Sequence, residues 1–193
     1  MNFLKSIIKK FISFIHKFCY GDFGIGSKIY SPTLMIPNKK HIFIGDSVCI
    51  RQNARIEPVL KWKDKIYNPQ IIIENGVVIE QNLHLTCAKL IKIGKYSLIN
   101  SYVFITDIDH DYDEIYTPIL KQGLSVKETV IGEQCFIGTG VKIMAGTKIG
   151  NHCIIGANAV VTHNIPDYCV AVGIPAKVRK VYNVETREWE ICR

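Results

Sequence analysis

Six histidines and seven cysteines are the side chains best suited to nucleophilic, proton-transfer or metal chemistry, and His110 has the most suggestive surroundings. It lies in the segment TDIDHDYDEIYTPILKQG, with Asp107, Asp109, Asp111 and Glu114 close by in sequence. An imidazole titrates near ~6.5 and is largely neutral at cytosolic pH, so it can take a proton from a hydroxyl and return it later. A well-placed base of this kind is worth about 10²–10⁴ in rate. One of the nearby acids, or equally a backbone carbonyl, could orient its second ring nitrogen. Taken alone, the pattern is that of a solvated loop histidine, so the loop's place in the fold must decide. The remaining histidines, His16, His41, His84, His152 and His163, show no short ligand-like spacing. Three histidines converging on zinc, as in a carbonic-anhydrase-like solenoid, are therefore not expected, and no metal is assigned. The cysteines are odd in number and include no C-x-x-C pair, so they read as reduced thiols, several of them small core residues.

The elements that position His110 come from an internal repeat. From Ile131 an aliphatic residue returns at every sixth position: Ile131, Ile137, Ile143, Ile149, Ile155, Val161. Four places after each stand Cys135, Val141, Thr147, Cys153, Ala159 and Ile165. A helix would repeat near 3.6 residues and a half-buried strand near 2, so a period of six fits short strands separated by corners. Gln134, Gly140, Gly146, His152, Asn158 and Asn164 fall at the corners, where glycine and asparagine accept positive φ at little cost. Three strands close one triangular coil, which stacks Cys135 over Cys153 and Ile137 over Ile155. Earlier blocks repeat the pattern as Ile44, Ile50, Ile56, then Ile73, Ile79, Leu85, then Ile93, Ile99, Ile105, with corners at Asn53, Gly76 and Asn82. Each phase change marks an insertion. The first, VLKWKDKIYNPQ from Val59 to Gln70, is short; the second, 107–129, is the one long excursion and carries His110.

The excursion, the run IGTGVKIMAGTKIGNHCIIGANAVVTHNIP and the tail AVGIPAKVRK make the chain resemble the hexapeptide-repeat acyltransferases, in the form of the sugar and polysaccharide O-acetyltransferases. The resemblance covers roughly residues 24–180. It implies an all-β solenoid, a left-handed parallel β-helix, with a homotrimer holding acetyl-coenzyme A between adjacent prisms. It also implies a loop histidine as general base for acetyl transfer to a sugar or glycan hydroxyl. Relatives often carry T-D-H-x-H in this loop; here the first place is Ile108 and the second His110, so His110 takes the role. By the same resemblance Thr139, Ala157, Thr162 and His163 line the pantetheine groove, mostly through backbone groups. Relatives often carry lysine where His163 stands. Lys177 and Lys180 fall where the family places bases near the cofactor phosphates, with Arg179 as a neighbouring substitute. Glu80, Asn82 and Asp107 are the candidates facing the acceptor, although Asn82 is first a corner residue. His152 reads as structural. The alternatives are N-acetylation of a nucleotide-linked amino sugar, which needs only a different acceptor pocket, and a non-catalytic scaffold.

At 193 residues, 48% hydrophobic and 21% charged, the chain suits a single globular domain. A net charge of +7 and a pI near 9.0 suit an anionic ligand or a membrane surface, while no nucleic-acid-binding signature accompanies them. Residues 1–20 space Leu4, Ile7, Ile8, Phe11, Ile15 and Phe18 as one face of an amphipathic helix. Its uncharged stretches are too short to span a bilayer, and no small-residue cleavage site follows. A helix capping the open end of the prism is preferred over a peripheral membrane helix, since solenoids need their ends covered. The expected location is the cytoplasm, with the inner membrane face as the alternative setting. Residues 21–180 form the transferase domain and 181–193 a tail too short to interpret.

Overall fold

The computed structural model describes His16 and residues 18–192. The helix expected over residues 1–20 thus falls largely outside the described residues. Within them, the Tyr20 amide donates to the His16 carbonyl at 2.9 Å, as in a helical turn. Tyr20 and Phe23 are buried, and the His16 ring lies 4.5 Å from that of Phe23, so aromatic side chains cover the first coil. Among the described residues no helix is long and apolar enough to cross a membrane.

The chain winds as a three-sided left-handed parallel β-helix. Face one stacks six strands: Asp22–Phe23, Ile42–Ile44, Gln70–Ile73, Leu90–Ile93, Thr129–Ile131 and Lys148–Ile149. Face two runs from Lys28–Ile29 through Cys49–Ile50, Val78–Ile79, Leu98–Ile99, Phe136–Ile137 and Ile154–Ile155 to Cys169–Val172. Face three stacks Arg55–Pro58, His84–Cys87, Phe104–Thr106, Lys142–Ile143 and Val160–Val161. The six-residue period maps directly onto these faces. Ile44, Ile73, Ile93, Ile131 and Ile149 pair in register on face one. Ile50, Ile79, Ile99, Ile137 and Ile155 pair on face two. Ile56, Leu85, Ile105, Ile143 and Val161 pair on face three. All fifteen are buried, each ladder packing against the other two down the prism axis.

Corners explain the residues between the aliphatics. Gln134, Gly140, Gly146, His152 and Asn158 all take positive φ, as do Asn53, Gly76 and Asn82. Asn164 does not; its side-chain oxygen instead accepts the Lys148 amide at 2.9 Å, so asparagine serves there as a hydrogen-bonding clip. The small residue after an aliphatic also has a packing cause: a Cβ at Gly132 would sit 2.6 Å from the Gly150 backbone of the next coil. Cys135 and Cys153 stack as expected, with the Phe136 amide donating to the Cys153 carbonyl at 2.8 Å, and all seven cysteines are free thiols.

Three segments leave the prism. Val59 to Gln70 forms a small hairpin, Lys61–Trp62 against Lys65–Ile66. The long excursion contains a second hairpin, Ile108–His110 against Leu124–Val126. After the last coil, Lys177–Asn183 and Glu188–Ile191 extend face two as antiparallel strands, so residues on both sides of position 180 share one strand.

Candidate active site

The excursion leaves face three at Thr106 and is tied down where it starts. Asp107 is fully buried, and its carboxylate accepts the Ala88 amide at 2.7 Å, the Lys89 amide at 2.7 Å and the Leu90 amide at 2.8 Å. The corner of the preceding coil is therefore folded around this side chain. The Cys87 thiol adds a 3.3 Å bond, and burial, reinforced by the Asp107 charge, holds that thiol well above its ordinary pKa. Where the excursion returns, the Lys127 amide donates to the Asp107 carbonyl at 2.9 Å and the Thr129 hydroxyl to the Thr106 carbonyl at 2.8 Å.

Between these ties the hairpin presents His110 opposite Leu124, which is buried and holds the strand down. Gln122 closes the distal turn: its amide nitrogen donates to the carbonyls of Glu114 (3.0 Å) and Thr117 (2.7 Å), and its side-chain oxygen accepts the Glu114 amide (3.1 Å). The Gln122 carbonyl in turn accepts the Trp62 indole N–H at 3.1 Å. That bond places the Trp62 ring edge-on to His110, with centroids 5.2 Å apart and planes at 71°. Among the described residues no hydrogen bond or ion pair reaches either His110 ring nitrogen. The contact the described residues make to the imidazole is thus the Trp62 ring, and no hydrogen bond from Asp109, Asp111 or Glu114 reaches it.

His110 and Trp62 flank a cleft of about 320 Å³. Its floor is the outward side of face three: Arg55, Glu57, Thr86, Phe104 and Thr106. Its walls are the two insertions, through Val59 and Trp62 on one side and Ile108, His110 and Leu124 on the other. Next to the floor His84 stacks edge-on against Phe104 at 5.1 Å, and its Nε2 is buried without a partner. Burial, together with the Arg55 charge and against that of Glu57, lowers the His84 pKa.

The other site residues read from the sequence distribute along the two edges bordering face three. Glu80, Asn82, Thr139 and Ala157 lie at the edge where face two turns into face three; the Asn158 amide donates to the Thr139 carbonyl at 2.8 Å across successive coils. Thr162 and His163 lie on the opposite edge, the one from which the His110 loop departs, with their side chains 3.3 Å apart. Lys177 and Lys180 are exposed on the strand after the last coil, and the preceding turn reaches face three through the Ala176 amide, which donates to Val160 at 2.8 Å. Glu80 faces Arg51 at 3.7 Å and Asn82 holds a positive-φ corner; neither lines the cleft. Asp107 is likewise absent from the lining, its carboxylate being taken up by the amides of 88–90. Trp62, Arg55 and Glu57 had no signal in the sequence beyond lying in or beside the first insertion.

Residues 128–163, the coils beside this cleft, match the bacterial transferase hexapeptide model of six repeats. These coils carry the repeat of the hexapeptide transferases, and the chain is similar to proteins of that family. It is 36% identical over 127 residues, 62% of its length, to WbbJ of Escherichia coli K12, which is named for O-acetyl transfer in lipopolysaccharide biosynthesis. It is 31% identical over 109 residues, 56% of its length, to galactoside O-acetyltransferase of Lactococcus lactis. The matches span 65% and 51% of those two proteins. The fold superposes with a TM-score of 0.74 on AntD, an N-acyltransferase from Bacillus cereus solved with dTDP and 3-hydroxybutyryl-CoA, at 17% identity over 89% of this chain and 88% of AntD. A hexapeptide-repeat acetyltransferase from Vibrio cholerae solved with acetyl coenzyme A superposes at 0.58, with 22% identity over 85% of this chain and 72% of the other.

Proposed function

We propose that this hexapeptide-repeat protein transfers the acetyl group of acetyl-coenzyme A to a hydroxyl of a sugar or glycan, with His110 as general base. The observation that carries the reading is an imidazole set against Trp62 at a cleft, with neither ring nitrogen engaged among the described residues. Such a nitrogen takes the hydroxyl proton as the oxygen attacks the thioester carbonyl. The C–S bond then breaks, and the proton passes from the imidazolium to the departing thiolate, giving coenzyme A and the ester.

The layout of face three supports this division of labour. Arg55, Thr86 and Phe104 place the cleft on the earlier coils, whereas Thr139, Ala157, Thr162, His163 and Lys177 border the later ones. An acceptor and a long, anionic cofactor can thus approach His110 from opposite ends. The two bordering edges point away from each other on one prism, so a groove using both requires a neighbouring copy, which favours the homotrimer. The names of WbbJ and the galactoside enzyme favour a sugar hydroxyl, and the Vibrio cholerae structure favours acetyl-coenzyme A as donor. Free thiol release from acetyl-coenzyme A with a panel of glycosides and amino sugars tests the reading. His110→Ala should lose several hundredfold in kcat/KM or more, and unchanged turnover would remove His110 from the chemistry.

A further inference from the structure

Both guanidinium contacts of Arg55 converge on a single oxygen of Glu57: Nε at 3.0 Å and Nη2 at 2.6 Å, both to Oε2. The other oxygen, Oε1, accepts no hydrogen bond among the described residues, although Glu57 is only partly exposed and lines the cleft. The neighbouring floor hydroxyls are already engaged. Thr86 donates to Thr106 at 3.0 Å, and Thr106 accepts the Ile108 amide at 3.0 Å. Trp62 lines the same cleft, its indole N–H donating to the Gln122 carbonyl at 3.1 Å. A flat apolar ring and an oriented, half-satisfied carboxylate lining one cleft suit a pyranose, whose C–H face stacks on indole while its hydroxyls donate to the acid.

Resting on the transferase reading above, we infer that Trp62 and Glu57 form the acceptor subsite and that, through its pairing with Arg55, the subsite selects an uncharged sugar ring. Among the described lining residues Arg55 is the single Lys or Arg, and Glu57 neutralises it. A uronic acid or a sugar phosphate therefore meets a carboxylate with no free cation to offset it, whereas a neutral ring finds an acceptor for its hydroxyls. Glu57 does not act on the thioester; it is a specificity residue.

The test uses two glycosides that differ at one carbon, methyl β-D-glucopyranoside and methyl β-D-glucopyranosiduronate. The chain has two tryptophans, so a Trp189→Phe background leaves Trp62 as the only indole reporter of binding. Its emission should respond to the neutral glycoside and far less to the uronate. Glu57→Gln removes the charge that holds Arg55. It should weaken the neutral ligand by roughly tenfold to a hundredfold, the loss of a hydrogen bond to a charged group, and shift the neutral-to-anionic preference toward the uronate. Arg55→Gln should move that preference the other way, and thermal unfolding of both variants checks that they fold. If Glu57→Gln leaves the preference unchanged, or the wild type favours the uronate, the subsite assignment is overturned. If glycosides are acetylated without altering Trp62 emission, it is overturned as well. If Trp62 reports the neutral ring but no sugar is acetylated, the transferase reading falls and the subsite stands.

Discussion

The prism and its two insertions are built on opposite principles. On the prism an inward side chain away from the ends is supported from both sides by a residue at the same place in the neighbouring coil: Ile99 sits between Ile79 and Ile137, all three fully buried. In the insertions, support is single and reaches across long stretches of chain: Trp62 meets His110, and Gln122 holds Trp62. Redundant support makes the prism tolerant of what its exposed positions carry. Single support makes the cleft's geometry depend on a few contacts that add little to global stability. The prism therefore carries stability, and the insertions carry orientation.

The sharpest way to break the contrast is to remove one rung from each region. Ile99→Ala should lower unfolding free energy by about 2–5 kcal/mol, measured in urea, because coils locked on both sides cannot collapse onto the cavity. A loss well under ~1 kcal/mol would mean that the ladders are not the stabilising core. Trp62→Ala should do the reverse: kcat falls by roughly tenfold to a hundredfold, the usual consequence of misplacing a catalytic group, while the urea midpoint barely moves. Trp62→Phe, which keeps an aromatic edge but loses the indole bond to Gln122, should recover part of that activity. Equal activity in wild type and Trp62→Ala would show that His110 needs no such partner.

The smallest expected effect lies at the seam, where face three meets the cleft. His84 has a lowered pKa in the folded chain, caused first by burial and then by Arg55. As pH falls below the unfolded value near ~6.5, the unfolded chain takes up the proton before the folded one does. The stability contributed by neutral His84 is complete above that pH and is lost on acidification toward the folded pKa. The melting temperature of His84→Gln should accordingly fall less than that of the wild type between pH 7 and pH 5. Parallel curves would show that the buried imidazole is not linked to folding.

This contrast also explains what could be read from the amino acids. A period of six is a statement about neighbours at fixed separation, so Ile44, Ile73, Ile93 and Ile131 fall on one face without any knowledge of the loops. Positive-φ corners follow likewise, because Asn53, Gly76 and Asn82 are types that tolerate them. The failure at Asn164 is instructive, since asparagine serves equally as a turn residue and as a side-chain acceptor, and only the surrounding backbone decides which. His110 was legible because its loop interrupts the repeat. The partners Trp62, Arg55 and Glu57 were not, because their meeting depends on how two insertions fold over one face, and no local spacing encodes that.

Both ends of the long excursion are fastened by groups belonging to the prism. The Asp107 carboxylate is seated in the 88–90 corner, and Thr129 is hydrogen-bonded back to Thr106. With entry and exit clasped together, the stretch between them behaves like a cartridge in a fixed socket. Its contents can be lengthened, shortened or rewritten without disturbing the coils beneath, which would let one scaffold acquire new acceptors by exchanging a single loop.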